Sequence, residues 1–561
     1  MSNQPSGAQL VISTLKALGV ETVFGYPGGA IMPIYDALAG SGLQHILVRH
    51  EQGAAFSADA YARATGRVGV CMATSGPGAT NLITGIANAY MDSIPMVCIT
   101  GQVGTHLMGT DGFQEVDILG ITLPIVKHSW LVRDPAEIPS ILAEAFAIAK
   151  EGRAGPVLVD IPRDVAATRV AASHAASFPT WTPPAPDTDA IRAAEKLIEA
   201  AKKPLFYVGG GVEMAGAAQE LRDLVARTGI PEVSTLKGLG TLPTTHELAL
   251  GMLGMHGTRA ANIAVQETDL LIAIGARFDD RATGKLAAFA PNARIIHFDI
   301  DPAEIGKLRK VDVAILGDLK TALPALNPKV GAIQKWVEKC KADKWEHRFK
   351  YNAPGRGIYA PGLLKTLSEK AGEKFMVACD VGQHQMWVAQ HCEFQSNRAH
   401  LTSGGSGAMG YGLPAGLGAK LGRPEMHVVT VSGDGSFMMN IQEMATLNRY
   451  NIPLKIVLLD NSSLGLVRQW QQLFFEENYS EIDLSDNPDF VVVAKAFNLD
   501  AFRITHRHEV DDAIDRLLAA DKPTLLHVVI DPRENVWPLV PPGASNADMM
   551  EERWDEPLDS Y

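Results

Sequence analysis

Residues Met426–Trp470 read MHVVTVSGDGSFMMNIQEMATLNRYNIPLKIVLLDNSSLGLVRQW, and this stretch decides the fold. A short β-branched apolar run, Val428 to Val431, stops at Gly433-Asp434-Gly435. A helical pattern follows from Phe437 through Leu447, and a second buried-strand run, Leu454 to Leu459, ends at Asp460-Asn461. Strand, helix and strand in that order form a βαβ unit, whose crossover makes the strands parallel and puts their C-terminal ends on one side. Asp434 and Asn461 therefore emerge at the same edge, where open α/β sheets bind ligands. A carboxylate and a carboxamide are hard oxygen donors of the kind Mg²⁺ takes, with positions left for water and phosphate oxygens. The flanking glycines let backbone approach a bulky anion. The stretch reads as a metal-bridged diphosphate site.

Working outward, the chain has 561 residues, too many for one hydrophobic core. An apolar fraction of 46% and a charged fraction of 20% are those of a globular protein. The net charge of −13 excludes general nucleic-acid affinity, which needs a basic face. The five cysteines (Cys71, Cys98, Cys340, Cys379, Cys392) are odd in number, lack paired spacing and sit mostly in apolar runs. They are expected to be buried reduced thiols. The first residues lack a basic start followed by an apolar core, and no apolar run approaches membrane-spanning length. The expectation is a cytoplasmic protein.

Short apolar strands alternate with amphipathic helical stretches throughout, which predicts parallel, doubly wound α/β sheets. Such a pattern fills residues 1–168, where strands lead into Gly25-Tyr26-Pro27-Gly28-Gly29 and into Thr74-Ser75-Gly76-Pro77-Gly78-Ala79-Thr80-Asn81. After linker-like Ala, Ser, Thr and Pro, a second block spans 190–327, with strands before Gly209-Gly210-Gly211, Gly275-Ala276-Arg277 and Asp299-Ile300-Asp301. A third block, 360–535, contains the opening motif and shares the texture of the first; a Pro-rich, then acidic tail covers 536–561. Glu51, in Arg49-His50-Glu51-Gln52-Gly53-Ala54-Ala55, opens a helix after a strand, where a lone Glu ordinarily serves the helix dipole.

The GDG motif with its strand-terminal Asn resembles the thiamine-diphosphate motif of the ThDP-dependent enzymes, although Asp460-Asn461 stands where that family more often has two asparagines. The segments FGYPGGAIMPIYDAL, RHEQGAA, ATSGPGATNLITGIANA, GTDGFQEVD, GPVLVDIPRD, LGMHGTRAAN, GARFDDR and LGLVRQWQQLFF carry a closer resemblance, to the acetohydroxyacid synthases, over nearly the whole chain. The resemblance implies two ThDP-type domains flanking a central FAD-binding domain. It also implies decarboxylation of pyruvate and transfer of the two-carbon unit to a second pyruvate or to 2-oxobutyrate.

By the same resemblance Glu51 hydrogen-bonds the aminopyrimidine ring and helps to shift its proton. Gly28, Pro77, Asn81, Gln383, His384, Met409, Gly433, Gly435 and Ser436 surround thiamine diphosphate, and Asp434, Asn461 and Ser463 hold Mg²⁺. Phe113, Gln114, Arg163, Arg281 and Trp470 line the substrate channel. Arg281 offers a fork to a 2-oxoacid carboxylate, and Trp470 favours 2-oxobutyrate. The family usually has Lys where this chain has Arg163, which leaves that contact open. FAD falls to Arg153, Gly210, Gly211, Met255, His256, Gly257, Gly275, Arg277, Asp279, Asp299, Ile300 and Asp318. A homodimer or homotetramer with a small regulatory subunit is implied as the assembly. Another FAD-containing ThDP enzyme, such as a pyruvate oxidase, is the alternative reading.

Overall fold

The computed structural model describes residues 4–170, 181–396 and 398–551. It contains three six-stranded sheets, every strand pair of which is parallel. Across the first sheet run Gln44–Leu47, Thr22–Gly25, Gly69–Ala73, Met96–Gln102, Pro156–Pro162 and Ser129–Leu131. The third sheet runs His400–Thr402, Phe375–Cys379, His427–Gly433, Lys455–Asp460, Thr524–Val529 and Asp500–Ile504. In both, the spatial order is second, first, third, fourth, sixth, fifth, so the likeness of the outer blocks extends to their topology. The central sheet differs: Val313–Leu316, Arg294–Asp299, Leu270–Ile274, Pro204–Val208, Glu232–Ser234 and Ala249–Met252 give the dinucleotide-fold order.

Each order contains a place inside the sheet where the winding reverses about its first strand, and there the loops at the C-terminal strand ends diverge and leave a crevice. In the first sheet it lies between Thr22–Gly25 and Gly69–Ala73, beside Gly28 and Thr74–Asn81. In the third it lies between Phe375–Cys379 and His427–Gly433, beside Gln383 and Asp434. In the central sheet it separates Pro204–Val208 from Leu270–Ile274, beside Gly210 and Gly275. All three crevices carry residues singled out in the sequence.

The helix expected over Phe437–Leu447 is broken. Asp434–Met438 and Met444–Tyr450 are separate helices joined by a 3₁₀ turn at Ile441–Glu443. At the break Asn440 leaves the helical region (φ −135°), and its amide donates to Gly410 O and Gln52 Oε1. A side chain that satisfies other backbone competes with the helix here.

The outer domains share one core. Phe24, Phe56 and Tyr61 from the first belong to the same buried cluster as Tyr411, Leu413 and Phe437 from the third. At its centre the helix Glu51–Thr65 lies on Gly412–Gly422, close enough that a Cβ on Gly418 would stand 2.0 Å from Ser57 O. Beside this seam Arg63, fully buried, pairs with Asp59 and Asp92 at 2.7 Å each and donates to Thr402 O at 3.0 Å. In an exposed helix Gly→Ala stabilises by up to about 1 kcal/mol. At Gly418 the contact reverses the sign, and we expect Gly418→Ala to destabilise by about 1–3 kcal/mol through overpacking. A urea midpoint at or above that of the parent protein would refute the close approach.

Candidate active site

In the first domain the strand Gln44–Leu47 turns at Arg49-His50 into a helix whose first residue is Glu51. His50 caps that helix, its Nδ1 accepting Gln52 N–H at 3.1 Å. The Glu51 carboxylate is buried; its Oε2 accepts from Asn81 Nδ2 at 2.9 Å. Its Oε1 lies beside Gly78, where an added Cβ would stand 3.2 Å away. Gly28 approaches so near Thr74 that a Cβ would come within 2.4 Å. Gly76, at φ +59°, abuts the Gln114 backbone. Gly28, Glu51, Gly76-Pro77-Gly78, Asn81 and Gln114 are thus brought to one corner.

Glu443, from the third domain, holds this corner from behind. Its buried Oε1 accepts the backbone N–H of Arg49 at 2.9 Å and of His50 at 3.2 Å. Burial pushes its carboxyl up to about 7. Sequence offered no signal for this role, because the partners lie some 390 residues apart and meet only through the fold.

The second corner is the crevice of the third sheet. Asp434 opens a short helix; burial, then the neighbouring Asp460, push its carboxyl up to about 7. One side chain donates to it, Asn487 Nδ2 at 3.1 Å. Asn461 accepts Ser463 N–H at 3.1 Å, and its own amide donates to Gln383 Oε1 at 3.2 Å. The Ser463 hydroxyl is buried with no hydrogen-bond partner. Ser436 Oγ donates to Val381 O at 2.6 Å.

His384, which burial depresses to about 3, is neutral; its Nε2 accepts Gly433 N–H at 3.3 Å. Over Gly435 stand Leu464, Leu484 and, 3.9 Å from a notional Cβ, the Met409 methyl. Such a set of a buried carboxylate, a carboxamide oxygen and an unpartnered hydroxyl fits a hard divalent cation. Among the described residues no three His, Cys, Asp or Glu side chains converge as a metal cage. An ion here would need oxygens from water or ligand as well.

The third element is a cavity of about 1300 Å³ between the domains. Arg153, Gly210, Gly211, Met255, His256, Gly275, Arg277, Asp279, Asp299, Ile300 and Asp318 all line it, as do Arg281 and Trp470. Its floor is tight: a Cβ on Gly209 would meet Gly275 O at 2.1 Å, and one on Gly211 would meet Gly275 Cα at 2.7 Å. Arg153 reaches it from the first domain, paired with Glu304 at 2.9 Å. This glycine-floored space fits a dinucleotide. Gly257 does not line the cavity; it closes a turn against Leu253 and Gly254. Met255 and Arg281 are joined, Met255 N–H donating to Arg281 O at 2.8 Å and the guanidinium reaching Met255 Sδ at 3.7 Å. The tail holds Met255 in turn, through Val540 N–H on its carbonyl.

Three family models tile this architecture: "Thiamine pyrophosphate enzyme, N-terminal TPP binding domain" over 5–121, "central domain" over 191–326 and "C-terminal TPP binding domain" over 380–528. The acetolactate synthase isozyme 2 large subunit of Escherichia coli is 55% identical over 553 residues, covering 97% of this chain and 99% of that one. The chain belongs to the acetolactate synthase large-subunit family. Large subunits from Parasynechococcus marenigrum (50% identical, covering 97% of this chain and 91% of that one) and Corynebacterium glutamicum (48%, covering 97% and 90%) agree.

Within one chain of this acetolactate synthase homologue the residues expected to line a substrate channel do not all meet. Phe113 is 88% exposed and Arg163 is exposed at the start of its short helix, and neither lines the cavity that holds Arg281 and Trp470. No hydrogen bond among the described residues joins the Glu51–Asn81 corner to the Asp434–Asn461 corner. Lys237 and Asn487, which the sequence did not single out, belong to the cavity wall and to Asp434 respectively. The five cysteines are free and buried. No helix among the described residues is long and apolar enough to cross a membrane. Of the tail, 552–561 lies outside the described residues, as does 171–180 of the first linker.

Proposed function

We propose that the chain is the catalytic subunit of an acetolactate synthase. It would join the two-carbon unit of pyruvate, after loss of carbon dioxide, to a second pyruvate or to 2-oxobutyrate, giving 2-acetolactate or 2-aceto-2-hydroxybutyrate. One observation carries the site assignment: a buried Glu51 corner and a buried Asp434–Asn461 corner occupy matching switch points of two sheets with the same strand order. When bound, thiamine diphosphate supplies the thiazolium carbon on which the transferred unit is carried.

Glu51 accepts and returns a proton at the aminopyrimidine, with Asn81 fixing its carboxylate. Asp434, Asn461 and Ser463 would hold Mg²⁺, and Gly433 and Gly435 would let the backbone come close to a diphosphate. Met409, whose methyl stands over Gly435, would support the cofactor ring. FAD would be held by Gly210, Gly211, Gly275, Arg277, Asp299 and Asp318, which all line the cavity. The reaction has no net redox change, so the flavin would be structural. Arg281 anchors the 2-oxoacid carboxylate with a two-pronged fork.

The separation of Phe113, Gln114 and Arg163 from Trp470 supports an active site shared by two copies, the first domain of one facing the third domain of the other. A homodimer is then the smallest active unit, a homotetramer is allowed, and a small regulatory subunit is the partner. We place the enzyme in the cytoplasm, in keeping with its reduced thiols.

The test is acetolactate formation from pyruvate with ThDP, Mg²⁺ and FAD added or withheld. No acetolactate from the fully supplied protein would sink the reading, and stoichiometric flavin bleaching by pyruvate would favour an oxidase instead. Trp470 lines the cavity with Phe474 edge-on at 5.8 Å, a wall able to grip one more methylene. Trp470→Leu should shift the product ratio away from 2-oxobutyrate by about 10-fold or more, the value of one methylene in an apolar pocket. An unchanged ratio under competition removes Trp470 from specificity.

A further inference from the structure

Asp460 is a carboxylate where the related motif more often has an amide, and the structure gives it a partner. The strand Lys455–Asp460 lies beside Thr524–Val529, which brings His527 to Asp460; His527 Nε2 stands 2.8 Å from Asp460 Oδ2. On the far side of the ring Arg503 Nε donates to His527 Nδ1 at 2.9 Å, and the guanidinium also pairs with Asp489 at 2.8 Å. A guanidinium only donates, so Nδ1 must be the bare nitrogen and the ring proton sits on Nε2, directed at Asp460. The remaining oxygen, Asp460 Oδ1, accepts the N–H of Ser462 at 2.8 Å and its hydroxyl at 3.3 Å. Both oxygens act purely as acceptors. An asparagine offers one acceptor oxygen and one NH₂, so it must turn a donor against either His527 or Ser462.

The turn that Asp460 fixes is the one that presents Asn461 and Ser463. We propose that Arg503, His527 and Asp460 form a positioning chain for the divalent-cation half of the site: they fix the Asn461–Ser463 loop in the conformation that presents its oxygens to the ion. His527 is buried and lies 5.6 Å from the Phe490 ring, which fixes its plane. The inference rests on the assignment of Mg²⁺ to Asp434 and Asn461 and adds the residues behind them. Partners of this kind tune metal affinity about 10–100-fold without touching the ion.

The test is binding, measured by calorimetry of ThDP into the full-length apo-protein at fixed Mg²⁺, and by Mg²⁺ titration at saturating ThDP. Asp460→Asn and His527→Leu should each weaken both by about 10–100-fold, while turnover at saturating Mg²⁺ and ThDP stays within a few-fold. His527→Gln, which keeps a donor for Asp460, should recover most of the affinity; this separates positioning from mere packing. Binding by Asp460→Asn within twofold of the parent protein would overturn the proposal. So would equal losses in His527→Gln and His527→Leu. A parent protein that fails to bind Mg²⁺ and ThDP at all would overturn both this chain and the site assignment beneath it.

Discussion

Glu51→Gln should lower acetolactate formation by about 10²–10⁴-fold, the span a positioned proton-transfer group contributes, while ThDP still binds. The expectation follows from where the carboxylate is held. One oxygen is committed to Asn81 at 2.9 Å, and the other faces Gly78, where the missing side chain leaves room for a ring nitrogen. Glutamine is isosteric and can still hydrogen-bond, so binding should survive, but it cannot take up a proton. Steady-state rates with ThDP saturation curves separate the two effects. A fall in kcat with an unchanged ThDP requirement is the signature of lost proton transfer. Loss of ThDP binding instead would make Glu51 a docking residue, and full-speed turnover would remove it from the reaction.

What the sequence shows of this site follows from what local pattern encodes. The strands before Asp434 and Asn461 were legible because a buried parallel strand is a run of β-branched and apolar residues, and each stops at a polar turn. Glu51 was legible as a helix start, and its role only through family resemblance. The interruption at Asn440 was hidden because its cause lies outside the segment, in Gly410 and Gln52. Glu443 on the Arg49–His50 turn and His527 on Asp460 were equally hidden, since each pairs residues from different elements. Strand order was also beyond the pattern. Alternating strands and helices predict a doubly wound sheet but not where the winding reverses, and the reversal creates each crevice. In the stretch Gly254–Gly257, Met255 and His256 line the cavity, while Gly257 is held in the turn against Leu253.

Asp434→Ala should abolish the Mg²⁺-dependent binding of ThDP, weakening it by more than about 100-fold, because this carboxylate would touch the ion whereas residues acting only from behind a metal already account for 10–100-fold. Stability should tell the same story from the other direction. In the unloaded protein Asp434 is a buried acid with one side-chain donor, and its charged form is opposed first by burial and then by Asp460. Removing it takes away a buried acid whose charge is opposed by burial and Asp460 more than its backbone and Asn487 donors support it, which offsets the loss of the carboxyl group's packing. The apo variant should therefore melt no lower than the apo parent by more than a degree or two. With Mg²⁺ and ThDP at about 100 times the parent dissociation constant, the parent gains roughly 2.7 kcal/mol from mass action. A 100-fold weaker variant under the same conditions gains only about 0.4 kcal/mol. Thermal melts with and without both components read that difference directly. Equal ligand-induced shifts in the two proteins would mean that the diphosphate is held elsewhere, and the assignment of Asp434 to the cation would fall.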